Sequence, residues 1–177
     1  MAVDAATGKA LAPVDRIKAH TGEGILHQAF LTLLVEGQGE NMRLLLCRRS
    51  PLKRLWGGVL ADSCAGHPLP GEGVAAATAR RINEELGIMR EPDELKHLGH
   101  VVYREDHGDG RCECEWCEVY LARVKPGELH INQEEISEVR RVALSELDGY
   151  LQGHPEQLAP WLREALSDPS IRTALAM

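Results

Sequence analysis

The sequence predicts a mixed α/β (α+β) fold. Two observations carry this prediction. Apolar runs of strand length cluster in groups bounded by glycine-rich turns. One alanine-rich helix lies among them and an amphipathic helix follows near the end. Length adds a third: 177 residues fit one domain comfortably and two only with difficulty. The expected organisation is a loose leader over residues 1–14 and a single domain over 15–177.

Taken in order, Ile25 to Glu36 (ILHQAFLTLLVE) is mostly apolar and reads as a strand. Gly37 to Asn41 is a turn, and Met42 to Arg48 reads as the partner strand of a hairpin. Pro51, Gly57 and Gly58 punctuate a loop carrying Lys53, Arg54 and Trp56. Val59 to Ala65 is a short apolar strand, broken by His67-Pro68-Leu69-Pro70-Gly71. Gly73 to Leu86 is the clearest helix, and Gly87 follows it as a C-terminal cap. Leu98 to Arg104 and Glu113 to Val124 form two strands around the turn His107 to Gly110. A strand-like VRRVAL follows, then a helical tail in which Leu158 to Leu166 carries Trp161 and Leu162 in an amphipathic pattern.

Composition excludes several classes. Lys+Arg 20 against Asp+Glu 27 gives a net charge of −7, which argues against nucleic acid and anionic membranes as partners. No apolar run is long enough to span a bilayer, and the N-terminus lacks a signal-peptide core, so no stable membrane insertion is expected. Five cysteines, an odd number, fit a reduced cytoplasmic chain better than a disulfide framework. With one Phe, three Trp and three Tyr, the core must be aliphatic and each aromatic is a candidate for a special role. A monomer or homodimer acting on a small molecule is the expectation.

The stretch Gly66 to Ile88 resembles the Nudix signature. Gly66, Glu72, Arg80, Ile82, Glu84, Glu85, Gly87 and Ile88 fit its fixed positions. Arg81 stands where a Nudix hydrolase carries Glu. Positions 81, 84 and 85 share one helix face, where a hydrolase gathers carboxylates around Mg²⁺. An arginine there favours holding a diphosphate without cutting it.

The rest of the chain resembles one Nudix branch, type 1 isopentenyl diphosphate isomerase, over roughly residues 15 to 165. The carriers are AHTGEGILHQAF, CRRSPLKRLWGGV, Ser63 to Pro68, ARRINEELGI, YRED before ECEWC, and APW near the end. The resemblance implies a mixed sheet sandwiched between helices. It implies an enzyme that protonates an isoprenoid alkene on one face and deprotonates the resulting tertiary carbocation on the other.

It also implies roles. His20, His27, His67, Glu113 and Glu115 match a metal site for one divalent ion, Zn²⁺, Mn²⁺ or Mg²⁺. Their N₃O₂ donor set suits a borderline ion. Glu113 and Glu115 are two apart on a predicted strand and so share a face. Glu115 matches the acid, Tyr103 the tyrosine beside it, and Trp161 the ring over the carbocation. Arg16, Arg49, Lys53 and Arg81 match the cations around the substrate diphosphate, and Glu85 the carboxylate that holds its Mg²⁺.

The main break in the pattern is at residue 65. The family's catalytic cysteine is Ala65 here, preceded by Cys64. In an extended segment Cys64 points to the opposite face. Cys117 shares parity with Glu113 and Glu115 and is a weak candidate for a replacement base. Leu60 and Asp62 stand where the family has Trp and Asn. Cys112, Cys114 and Cys117 read as packing residues rather than a metal site.

Three readings follow from these residues. The first is a metal-dependent enzyme protonating a prenyl diphosphate or related alkene through Glu115. It gives ordinary isomerisation or, because residue 65 is not cysteine, protonation-initiated cyclisation or rearrangement of a terpenoid. The second is a Nudix diphosphohydrolase, against which Arg81 stands. The third is a non-catalytic diphosphate-binding relic.

Overall fold

The computed structural model of the protein describes residues 1–175. The apolar run after Ile25 becomes β1 (His27–Glu36), buried along almost its whole length. Such continuous burial marks a strand covered on both faces. Phe30 and Leu34 point to one face, and Leu31 and Leu33 to the other.

β1 pairs in parallel with β6 (Cys112–Val124), from His27 opposite Glu115 to Glu36 opposite Val124. β5 (Lys96–Asp106) pairs antiparallel with β6, as the predicted hairpin requires. On the other side, β2 (Arg43–Arg49) pairs antiparallel with β1 only near the turn, through Leu34 to Glu36. β7 (Ile136–Ala143) pairs with the far edge of β2. The sheet is therefore mixed, with seven strands.

Beyond their shared end β1 and β2 diverge, and the gap is filled from the segment expected as one strand, Val59 to Ala65. That expectation is corrected: β3 (Leu60–Ala61) pairs with β2, and β4 (Cys64–Gly66) pairs with β1. Ser63 explains the break. Its hydroxyl donates to the Leu45 carbonyl at 2.6 Å and accepts from the Leu34 amide at 2.8 Å. The side chain thus substitutes for the missing ladder bonds between the two neighbours.

α2 (Val74–Leu86) lays Ala77, Ile82 and Leu86 on one face of the sheet against Phe30, Leu34 and Leu45. Gly87 ends it at φ +68°, where a Cβ would also stand 2.7 Å from His130 Cβ. The other face is covered by α3 (Leu147–Gly153), α4 (Pro160–Ser167) and α5 (Pro169–Leu175). The sheet lies between helices, as expected. Trp161, Leu162 and Ala165 of α4 pack on Leu31, Leu33 and Cys117. Burying each large aliphatic side chain contributes roughly 1.5–3 kcal/mol.

One short helix was not predicted, α1 (Arg16–Ala19), whose N-cap Asp15 accepts from the Lys18 amide, whereas α3 and α5 fall within the expected helical tail. The first residues, expected as a loose leader, lie against the sheet. The Val3 amide donates to Leu26 and the Gln28 amide to Met1, and Val3 is buried. No helix among the described residues is long and apolar enough to cross a membrane.

Candidate active site

The strand registers build the centre of the site. His27 on β1 lies opposite Glu115 on β6, and Tyr103 on β5 lies opposite Glu115 from the other side. The two-residue strand period places Glu113 and Cys117 on the same face of β6. All five line one cavity of about 460 Å³, on the face covered by α4. His20 caps α1 and His67 follows β4, and both turn into the same space.

The three imidazoles converge. Their ring centroids lie 4.6, 5.2 and 4.8 Å apart. His20, His27, His67 and Glu115 offer donor atoms within 4.8 Å of one another, and Glu113 joins through His20 Nδ1 at 3.0 Å. Two atoms here, His20 Nδ1 and Glu113 Oε2, are buried without a hydrogen bond. His27 Nε2 and His67 Nε2 face each other at 3.0 Å. Converging imidazole and carboxylate donors, two of them left without a hydrogen bond, fit a bound divalent cation. The fold thus brings three imidazoles and the Glu115 carboxylate within reach of one another, with Glu113 adjoining them through His20.

The protonation states agree with that use. Burial lowers His27 to about 4 and also lowers His20, so both imidazoles are neutral near pH 7, as ligands must be. The carboxylates divide. Burial and the charge of Glu115 push Glu113 up to about 9. Burial also acts to raise Glu115, but the His67 hydrogen bond and charge, His27 and Tyr103 outweigh it and hold it below the usual carboxylate range. The pair therefore retains one proton at neutral pH. The Tyr103 hydroxyl donates to Glu115 Oε2, and His67 Nε2 lies 2.8 Å from Oε1.

The cations occupy another part of the cavity wall. Arg16, Arg49, Lys53 and Arg81 all line it, with Arg54 and Arg80 beside them. Lys53 and Arg81 are both bound to Glu135, and Arg81 also to Glu84 and Glu85. Glu85 is buried behind this wall, in a small cleft shared with Lys53 and Glu135, and stands apart from the histidine cluster. Gly66 makes room for Arg81: a Cβ there would stand 3.4 Å from Arg81 Cγ and 3.2 Å from Phe30.

The signature residues Glu72 and Arg80 have a structural part. Arg80 grips Glu72 through two nitrogens at 2.8 and 2.9 Å, and Glu72 also accepts from the Leu69 amide. This clamps the loop carrying His67 to α2.

Trp161 is buried on α4 with its ring on the cavity. The Arg49 guanidinium carbon lies 5.2 Å from the ring centroid, and Trp56 meets the ring edge-on at 5.4 Å. Trp56 itself has φ +46°, the one non-glycine residue in the left-handed region among the described residues.

The strand parity at residue 65 holds. Ala65 lines the cavity, whereas Cys64 is packed on the α2 side of the sheet. Burial raises the Cys64 thiol well above its ordinary range. Cys117 does reach the cavity, and burial raises it likewise. Cys112 lies beside Gly24, where an added Cβ would stand 2.8 Å from its Sγ.

Sequence reasoning missed Glu135, which binds two of the four cations. Nothing in Asn132-Gln133-Glu134-Glu135 separates it from its neighbour Glu134. It also gave no part to Arg54 and no partner to Asp62.

Comparison with known proteins gives a consistent result. Residues 25–167 match the NUDIX domain family. The chain is 36% identical to isopentenyl-diphosphate Delta-isomerase of Nocardia farcinica, over 90% of this chain and 87% of that protein. It is 37% identical to the protein of that name from Paenarthrobacter aurescens, over 96% and 89%. Among solved structures it resembles a Deinococcus radiodurans protein, with a TM-score of 0.65 and 21% identity over 86% of this chain and 88% of that one. It also resembles a MutT protein from Methanosarcina mazei, with a TM-score of 0.61 and 22% identity over 85% and 92%. At these identities the structural likenesses speak for the fold alone.

Proposed function

The chain belongs to the Nudix family and, within it, to the isopentenyl-diphosphate Delta-isomerases, which are isomerase enzymes; on that premise we propose that it protonates a prenyl diphosphate through Glu115. The observation that carries the reading is the meeting of three histidines, Glu113, Glu115, Tyr103 and Trp161 in one cavity whose wall also presents Arg16, Arg49, Lys53 and Arg81.

The cations grip the diphosphate, with Glu135 and Glu85 holding Lys53 and Arg81 in place. Glu85, held against Arg81 behind the wall, is the carboxylate assigned to the Mg²⁺ of that group. The isoprenoid chain then lies toward Glu115. Proton transfer from the Glu113/Glu115 pair to the alkene terminus leaves a tertiary carbocation. Tyr103 and His67 hold the Glu115 carboxyl in position for that transfer. The ring face of Trp161 stabilises the cation without offering an anion that would trap it. His20, His27, His67, Glu113 and Glu115 would hold one divalent ion, Zn²⁺, Mn²⁺ or Mg²⁺. When bound, it supplies fixed positive charge that orders these ligands.

A second outcome rests on Ala65. The position that would carry the base for the opposite-face proton transfer presents only a methyl group to the cavity. A cation that is not deprotonated there is open to capture by a second double bond or by water, giving a cyclised or rearranged terpenoid. Hydrolysis is the weaker reading. Arg81 sits among Glu84 and Glu85 and binds both, so these carboxylates are already neutralised by a fixed cation. Against a relic without catalysis stands the intact convergence of His20, His27, His67 and Glu115 beside Tyr103.

The test is product analysis with isopentenyl, dimethylallyl and geranyl diphosphates in D₂O, using metal-loaded protein. Deuterium in a prenyl or cyclised product supports the reading. Phosphate release without deuterium favours hydrolysis, and no conversion favours the relic.

A further inference from the structure

Asp62 lies between β3 and β4, 2% exposed, with no part in diphosphate or metal binding. Its Oδ1 accepts from Trp161 Nε1 at 2.8 Å. Its Oδ2 is buried without any hydrogen bond. A buried, half-satisfied carboxylate costs stability. An asparagine would accept from the same indole N–H without the charge. The sequence keeps a carboxylate behind a tryptophan whose face lines the reaction cavity.

We infer that Asp62 is a positioning residue for the carbocation step, acting through Trp161. The inference rests on the reading of the site as one that protonates an alkene. The hydrogen bond fixes the indole plane so that its face is presented to the cavity. A carboxylate acceptor also pushes electron density into the ring, which strengthens its attraction for a cation at that face. Trp161 stands between the carboxylate and the cavity, so Asp62 adds negative potential without becoming a nucleophile that captures the cation. The ring already carries a cation at its face: the Arg49 guanidinium at 5.2 Å. Trp56 at its edge, 5.4 Å away and nearly perpendicular, completes the clamp.

The charge of Asp62 answers to few groups. Arg49 on β2 lowers its pKa and Glu85 on α2 raises it, while Cys47, Cys64 and Cys117 face it as neutral thiols. Burial dominates and pushes Asp62 up to about 6. The carboxylate is thus mostly ionised at pH 7.5 and mostly neutral at pH 5.

The test uses metal-loaded full-length protein and the D62N variant, which keeps the acceptor oxygen. The expected result for D62N is a fall in kcat of about tenfold, the scale of one cation–π increment, with KM changed by less than about twofold. Its kcat–pH profile should also lose a limb near pH 6. A kcat within about twofold of wild type, with an unchanged pH profile, overturns the inference. A second measurement needs neither turnover nor a change at Asp62. The Trp161 indole N–H resonance, assigned by its loss in Trp161→Phe, should move in wild type with a midpoint near pH 6. A resonance that stays fixed between pH 5 and 8 overturns the inference. If wild type gives no deuterated product in D₂O, the alkene-protonation reading fails on its own, and the indole resonance still reports on the Asp62–Trp161 pair.

Discussion

Tyr103 and Glu115 stand directly opposite each other on β5 and β6, and the tyrosine hydroxyl donates to the Glu115 carboxylate in a buried contact. The contact places a neutral donor on one carboxylate oxygen while His67 engages the other. Burial and the Glu115 charge raise Tyr103 well above its ordinary range, so it remains a donor throughout the accessible pH range.

Tyr103→Phe removes that donor while keeping the ring. The expected result is a loss in kcat of about 10²-fold or more, the usual scale for a positioned acid–base partner. Stability should change little, because the ring still fills its place. Steady-state kinetics beside a thermal melt checks this. A normal kcat removes Tyr103 from the mechanism.

Ala65→Cys restores a thiol on the cavity side of β4, the side that Cys64 does not reach. If the missing thiol alone separates this chain from an ordinary isomerase, interconversion of isopentenyl and dimethylallyl diphosphates should rise by at least about tenfold. Product ratios measured by mass spectrometry decide it. No gain means that the cavity itself has been refitted, with Leu60 and Asp62 as the first positions to examine.

Both outcomes turn on features that were partly legible in the sequence. The opposite orientation of residues 64 and 65 followed from the strand period alone, and the signature helix and its capping glycine were visible in Gly66 to Ile88. The His27–Glu115 register was not legible, because parallel pairing of β1 with β6 joins residues 88 apart in sequence, and no local pattern encodes that register. The split at Ser63 was hidden for a related reason: a hydroxyl bridging two neighbouring strands shows no local pattern. Glu135 and the Asp62–Trp161 bond are long-range contacts between residues of ordinary type. The short helix α1 is only one turn long, so packing rather than propensity gives it its form.

Chelation tests the metal ligands. Removing the ion leaves His20 Nδ1 and Glu113 Oε2 buried without partners, each costing roughly 1–3 kcal/mol. Dialysis against a chelator should lower Tm by several degrees and abolish turnover. Both should return on adding Zn²⁺, Mn²⁺ or Mg²⁺, and elemental analysis of untreated protein identifies the native ion. An unchanged Tm contradicts the assignment.

Asp62 sets a pH-dependent stability difference. Its folded value of about 6 exceeds its ordinary value of 3.8, so the folded protein binds a proton that the unfolded chain has released. That contribution to stability is fully present below about pH 4 and is lost as pH rises through 6. D62N lacks the loss and should gain on wild type between pH 4 and 7, by on the order of 2–3 kcal/mol. Denaturant melts at pH 4.5 and 7 read the difference. A pH-independent gap between the two proteins contradicts it.

The central claim is that this cavity protonates an alkene through Glu115. The most direct measurement is deuterium incorporation into product from isopentenyl or geranyl diphosphate in D₂O, comparing wild type with Glu115→Gln. The account predicts deuterated product from wild type, at a carbon one bond from a tertiary centre, and a loss of at least about 10³-fold in Glu115→Gln. Product formed without deuterium, or deuteration that persists in Glu115→Gln, contradicts it.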